Sequence, residues 1–358
     1  MKKIIYGVLL LLVLALAACA GESTSNEDAK PEETKSTDSS KSAEKETEKP
    51  TEKSVIMKIG STDKEHVAMG KAMYKFKEIV EAETNGSITV EVFPDSQLGG
   101  ERDIIEGVQL GTIQGGPIGA AVMSNFSPRF NLWSLPFTFP TREDSHRILD
   151  GPLGQEVLAD LDDIGMIGLN FWESGIRNLT NNDGEIKSPD DLANLKIRTL
   201  ENQIQLDVWT ELGAIPTPIA FPELFTSLQQ GIVDGQENPF SVIAEANMYE
   251  VQKYVTETQH LIGVNPFIVN KKWFEDLTED QQAAIRKATD EAQAFQREEK
   301  AIEDAKYKDL LIEKGMTITT LSPEERQVWA DKIIPVYDKH KKEIGEDLVN
   351  RLLEEAKK

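Results

Sequence analysis

Arg198 stands in Leu195-Lys-Ile-Arg198-Thr-Leu200, an apolar run that reads as a strand with a cation near its end. A guanidinium is a planar fork of donors that matches a carboxylate bidentately. An arginine near the carboxyl end of a strand is therefore placed to hold an anion, or else to pair on the surface with Glu201 or Asp207. Asn238 precedes Pro239 in Gly231-Ile-Val-Asp-Gly-Gln-Glu-Asn238-Pro239. The proline holds Asn238 extended, which lets its amide point into a cleft; ordinary turn chemistry explains the segment equally well. Arg177, in Trp172-Glu-Ser-Gly-Ile-Arg177, is a second arginine after an apolar strand.

No pattern in the chain assigns a reaction. It holds no G-x-S-x-G, H-E-x-x-H, G-x-x-x-x-G-K-[ST], EF-hand loop or C-x-x-C. His66, His146, His260 and His340 lack metal-ligand spacing. Gly111 to Pro117 is glycine-rich without the dinucleotide pattern, so no cofactor is expected. The single cysteine, Cys19, excludes an intrachain disulfide. The formal net charge of −23 repels nucleic acid, which is set aside as a partner. An anion must also enter against that field, so positive groups have to be concentrated in a cleft.

The elements that would position these residues alternate in type. Val55–Gly60 reads as a strand, 66–83 as a helix with Met69, Met73, Phe76, Ile79 and Val80 on one face, and Asn85-Gly86 as its stop. Ser87–Phe93 alternates as a second strand, and Arg102–Leu110 reads as a second helix. The alternation recurs later: a strand over 196–200, a helix marked by Ile204, Val208, Trp209 and Leu212, a helix from Pro222 to Gly231, and a short strand at 232–235. Two α/β lobes with largely parallel sheet follow, with the ligand expected in the cleft between them. Residues 279–311 have few breakers and read as one helix. At ~1.5 Å per residue it is about 45 Å long, enough to cross both lobes.

The N-terminal segment has its own logic. Lys2 and Lys3 precede an apolar run from Ile4 to Ala18, shorter than the ~20 residues needed to span a bilayer. Leu16-Ala-Ala-Cys19 follows the lipobox pattern, which expects 1–18 as a lipoprotein signal peptide and Cys19 as the lipidated residue; a plain signal peptide with an incidental cysteine is the alternative. Residues 19–53 carry no aromatic or large aliphatic side chain and are expected to form a disordered tether.

From Met57 to Leu277 the chain resembles the solute-binding subunit of tripartite ATP-independent periplasmic (TRAP) transporters, the DctP family. The stretches that carry the resemblance are Phe93-Pro-Asp-Ser-Gln-Leu-Gly99 with Glu101-Arg102, Asn131-Leu-Trp-Ser-Leu-Pro-Phe137, Leu195-Lys-Ile-Arg198, Pro216-Thr-Pro-Ile-Ala-Phe221, Val233-Asp-Gly-Gln-Glu-Asn-Pro239 and Tyr249-Glu-Val-Gln-Lys253. The resemblance implies a two-lobed periplasmic-binding-protein-like fold, with lobe one at 54–174 plus 263–302 and lobe two at 175–262 plus 303–358. It implies that Arg198 holds the ligand carboxylate, that Asn238 assists, and that Phe221 lines the cleft. Arg177 and Glu101 fall at further ligand contacts. Thr62, Asp63 and His66 lie on the first strand-to-helix loop, also near ligand, and Trp172 walls the cleft or packs in the core. Gly119 departs from the acidic residue of sialic-acid-binding members, which argues against that ligand. The implied role is capture of a small carboxylate for TRAP membrane permease subunits, by a protein held at the membrane through its lipid. A ligand-presenting sensor and an extracytoplasmic enzyme are the competing readings.

Overall fold

The computed structural model describes residues 54–358; the expected signal peptide, Cys19 and the expected tether lie outside the described residues. β1 (Val55–Gly60) turns Met57 and Ile59 inward, both fully buried. α1 (Ala68–Glu83) buries Met69, Met73, Phe76, Ile79 and Val80, the stripe that its spacing sets. Asn85 and Gly86 end it with φ of 51° and 76°, the left-handed conformation that terminates helices. β2 (Ile88–Phe93) follows, then α2 (Glu101–Leu110), β3 (Gly115–Pro117) and β4 (Met166–Asn181). The second series is β5 (Lys196–Thr199), α3 (Gln203–Leu212), β6 (Ile215–Pro218), α4 (Leu224–Gln229), β7 (Gly235–Pro239) and α5 (Phe240–Glu245). β8 (Tyr254–Asn270), α6 (Glu279–Glu313) and β9 (Thr317–Thr320) return across both.

The strands form one sheet in the order β2-β1-β3-β8-β4-β7-β5-β6, with β9 beside β8. The expectation of parallel sheet holds toward the two ends, where β1 pairs β2 and β3, and β5 pairs β6 and β7, all in parallel. It fails at the centre, where β8 runs antiparallel to β3 and β4, and β4 runs antiparallel to β7. β4 and β8 pass from one half of the sheet to the other, so the two lobes share one sheet. A bulge separates Glu173 from Gly175, and Gly175 faces Gly263 there. Gly175 has φ of 119°, and a Cβ on it would lie 2.5 Å from Lys300 Cε. The strand expected at 232–235 begins only at Gly235. Asp234 forms a clasp before it: its side chain accepts from the Lys196 N–H and its own N–H donates to Lys196 O, both at 2.8 Å.

α6 crosses both halves, as its composition required. Ile285, Ala288 and Ala292 pack with α1, Trp172 and Phe267, while Tyr307 and Leu311 pack with Phe240 and Ile243 of α5. Between these apolar ends the buried stripe turns polar at Gln296, Lys300 and Glu303. Here α6 passes over β4. The Gln296 amide donates to Glu173 O at 2.6 Å and accepts from the Glu173 N–H at 3.1 Å, so the backbone groups freed by the bulge stay satisfied.

Candidate functional site

β4, β7 and β5 lie side by side; Arg177 and Asn238 line the floor of a cavity of about 360 Å³, and Arg198 on β5 lies beneath that floor. That is near the lower end of small-molecule sites, which span ~300–1,000 Å³. Arg177 faces Pro239 and Glu237 faces Leu179 in the β4–β7 register, so Arg177 and Glu237 are diagonal neighbours on one face. Arg177 Nη2 donates to Glu237 Oε1 at 2.8 Å and to Asn238 Oδ1 at 3.0 Å, and its Nε also donates to the Glu237 carboxylate. His260 Nε2 approaches the same carboxylate at 3.2 Å. Burial pushes the Glu237 carboxyl up, but the Arg177 charge and the hydrogen bonds from His260 and Arg177 outweigh it and hold it down at about 2.

Arg198 is 1% exposed. Its Nε donates to Ile219 O at 2.8 Å, and its buried Nη1 has no partner among the described residues. It pairs with neither surface acid open to it from sequence: Glu201 sits by Arg102, and Asp207 pairs with Lys339 and His340. Burial pulls the guanidinium down to about 10; the Glu237, Glu101 and Glu201 charges oppose this, and Arg177 reinforces it. Glu237 is the only carboxylate hydrogen-bonded to either floor arginine among the described residues.

The opposite wall comes from the first half of the sheet. Thr62 and Asp63 follow β1, Glu101 opens α2, and Gly119 follows β3; all line the cavity. Glu101 Oε1 accepts from the Gly119 N–H at 2.7 Å. A Cβ on residue 119 would stand 2.7 Å from that oxygen, so glycine at 119 makes room for the Glu101 carboxylate. Burial raises the pKa of both Asp63 and Glu101. Lys64 and Glu245 line the rim, with Lys64 Nζ donating to Glu245 O at 2.5 Å.

Phe221, Arg177, Asn238, Thr62 and Glu101 therefore meet around one cavity. Arg198 lies two strands from Arg177 and one strand beyond Asn238, beneath the lining. Two expected residues stand elsewhere. Trp172 is 1% exposed in the core against Phe267, with ring centroids 5.1 Å apart, and its indole N–H is taken by Asn170 Oδ1. Core packing holds it away from the cavity. His66 sits outside the lining, half exposed, its Nε2 on the Glu245 carboxylate. Sequence reasoning passed over Glu237 as a partner of Arg177, and over Ser174, Ser241 and Asn265, which also line the cavity. The alternation of β7 was the signal for Glu237, hidden by reading its segment as a turn. Among the described residues no group of three or more His, Cys, Asp or Glu is arranged to hold a metal, and no helix is long and apolar enough to cross a membrane.

Residues 59–343 match the family model DctP, described as bacterial extracellular solute-binding protein, family 7. A solute-binding protein of Verminephrobacter eiseniae is 36% identical over 296 residues, covering 83% of this chain and 88% of that protein. The structure of the sugar acid binding protein DctPAm from Advenella mimigardefordensis in complex with galactonate superposes with a TM-score of 0.83 at 35% identity, covering 85% of this chain and 98% of that one. A TRAP periplasmic solute-binding protein from Polaromonas bound to D-erythronate gives a TM-score of 0.81 at 34% identity, covering 84% and 98%.

Proposed function

The chain belongs to the DctP family of bacterial extracellular solute-binding proteins, the solute-binding subunits of TRAP transporters, and from that premise we propose that it captures a small organic carboxylate on the Arg177–Asn238–Arg198 floor. Members of this family serve transport and are not enzymes. The observation that carries the reading is the floor itself. Two buried guanidiniums lie near one buried carboxylate, Glu237, which hydrogen-bonds Arg177 alone of the two, and Arg198 Nη1 is left without a partner among the described residues. A buried charge with an open donor is costly until an acceptor completes it. An incoming carboxylate supplies both the charge and the acceptor oxygens.

Phe221 and Asn238 border the bound acid, with Thr62 across from them. His66 guards the rim through Glu245. Closure of a lobe at 54–174 plus 263–302 on one at 175–262 plus 303–358 removes water and strengthens the ion pair. Cys19, lipidated after removal of residues 1–18, holds the head at the outer face of the cell membrane. Residues 19–53 give it reach toward TRAP membrane permease subunits, to which it delivers the acid.

A thermal-shift screen over organic acids tests the ligand. A ligand that binds only the folded state stabilises it by RT ln(1 + [L]/Kd). At least one carboxylate should raise Tm, and the rise should vanish in Arg198→Ala. A melting temperature unmoved by every acid, or a rise that survives Arg198→Ala, overturns the reading. Mass spectrometry of the mature protein tests the lipid on Cys19.

A further inference from the structure

The carboxylate reading leaves the rest of the cavity unexplained, and the unexplained part is acidic. Asp63 and Glu101 line the same cavity as Arg177 and Asn238, yet neither has a cation within ion-pair distance among the described residues. Glu101 Oε1 takes the Gly119 N–H at 2.7 Å and Asp63 Oδ2 takes the Ser61 hydroxyl at 3.0 Å. The other oxygen of each has no protein donor among the described residues. Of the other charged groups on the lining, Asp95 is a further acid and Lys64 is tied to Glu245 at the rim, while the hydroxyls of Thr62, Ser174 and Ser241 and the amide of Asn265 are neutral. So one half of the sheet contributes a basic floor and the other contributes an acidic wall.

We propose that the cavity selects a hydroxylated monocarboxylic acid and rejects dicarboxylic acids, with Asp63 and Glu101 as the residues that discriminate. The inference rests on the carboxylate reading of the same cavity. An acid of aldonate type places its one carboxylate on the arginine floor and runs its hydroxyls along the wall. Each hydroxyl donates to a carboxylate oxygen, a charge-assisted bond stronger than a neutral one. A dicarboxylate brings a second negative charge to the same wall and offers no donor, so like charges meet and two acceptors stay open. Burial raises both wall carboxyls, which marks them as groups with unmet need for donors. Sites built to hydrogen-bond a hydroxyl discriminate strongly against analogues without one.

Calorimetric titration with galactonate, erythronate, succinate and alanine tests this, on wild type and on Asp63→Asn, Glu101→Gln and Arg198→Ala. Galactonate or erythronate should bind wild type at least on the order of 10²-fold tighter than succinate. Asp63→Asn and Glu101→Gln should each narrow that ratio by about tenfold, while Arg198→Ala should lose every acid. Succinate binding wild type as tightly as the hydroxylated acids overturns the selection and leaves the carboxylate reading standing. Alanine binding tighter than galactonate also overturns it, because the wall would then be an ammonium site. Failure of all acids to bind wild type overturns both.

Discussion

Arg177 and Glu237 meet diagonally across β4 and β7, both almost fully buried, with Arg177 donating to both carboxylate oxygens and to the Glu237 carbonyl. Three hydrogen bonds from Arg177 to Glu237 fix the orientation of the guanidinium. Glu237 is therefore a positioning residue: it holds Arg177 in place with its hydrogen bonds, which leaves Arg198 Nη1 as the floor's open donor.

The pair makes stability depend on acid. Glu237 is held near 2 in the fold against an ordinary value of 4.5. Because the folded value is the lower one, ionised Glu237 contributes stability at every pH above about 4.5, and that contribution is lost as pH falls toward 2. The gap corresponds to about 3 kcal/mol. Glu237→Gln should lower stability by roughly that amount at neutral pH and should flatten the stability-versus-pH curve between about 4.5 and 2. Denaturant melts across that window measure both. A curve of unchanged slope would show that Arg177 does not depend on Glu237.

Arg198 gives a prediction with opposite signs for folding and binding. Removing a buried partner costs ~3–5 kcal/mol in the bound complex, a loss of 10²–10³-fold or more in affinity. In the free protein the same side chain is a buried cation with an open Nη1. Replacing buried ionic groups with apolar ones is often neutral or stabilising. Arg198→Met should therefore leave the ligand-free Tm unchanged or raise it, while abolishing the ligand-induced rise. A ligand-free protein that melts many degrees lower would mean that the arginine serves the fold.

Much of this was legible in the sequence, and what was not has physical causes. α1 and α3 announce themselves through 3.6-residue periodicity and α6 through a long run with few breakers, and Arg198 sits on β5 as its flanking residues required. β4 showed only as an apolar strand ending before Arg177, which in fact lies inside it, and β8 did not show, because Gly175, Gly263 and Pro266 interrupt their patterns. Their continuity comes from pairing with each other across a long sequence gap. Trp172 could have faced either side of its strand. Only the packing of Phe267 and α6 decides for the core. Gly119 reads in sequence as a missing acid. In the fold it is the space that the Glu101 carboxylate occupies.

His66 marks the boundary of what matters for affinity. Its ring reaches the Glu245 carboxylate at 2.5 Å, but its side chain is 55% exposed. Exposed ion pairs contribute ~1 kcal/mol or less, equal to about fivefold in affinity. His66→Ala should weaken ligand binding by no more than that in calorimetry. A loss approaching that of Arg198→Ala would place the ring against the ligand.

Gly175 should resist substitution for two reasons at once. Its φ of 119° disfavours any side chain, and an added Cβ would meet Lys300 Cε at 2.5 Å and Pro239 Cβ at 3.0 Å. Lys300 cannot swing away freely, because its ammonium donates to the Ser241 hydroxyl and sits 3.4 Å from Asp304. Gly175→Ala should cost about 1–3 kcal/mol from backbone strain alone, read as a lower denaturant midpoint. The bulge lies where β4 passes between the halves of the sheet, so the variant should also slow ligand association in stopped-flow fluorescence. A variant as stable as wild type would show that the bulge relaxes without strain.

Gly119 differs from Gly175 in kind, and the difference can be measured. Its φ of −56° suits any residue, so only space is at issue. In Gly119→Ala the new methyl group would lie 2.7 Å from Glu101 Oε1 and 3.1 Å from Oε2, forcing the carboxylate to move while the Gly119 N–H donor remains. Ligand affinity should fall by about tenfold, with little change in Tm, since a carboxylate displaced by even an ångström loses most of a hydrogen bond. The clash has one partner. In a Glu101→Ala background the methyl meets no carboxylate, and Gly119→Ala should then have almost no further effect. A double-mutant cycle on these two positions should show coupling of roughly 1 kcal/mol or more, the range expected for residues in direct contact. Additive losses would mean that Gly119 and Glu101 act on the ligand independently, and that the glycine is there for some reason other than the carboxylate beside it.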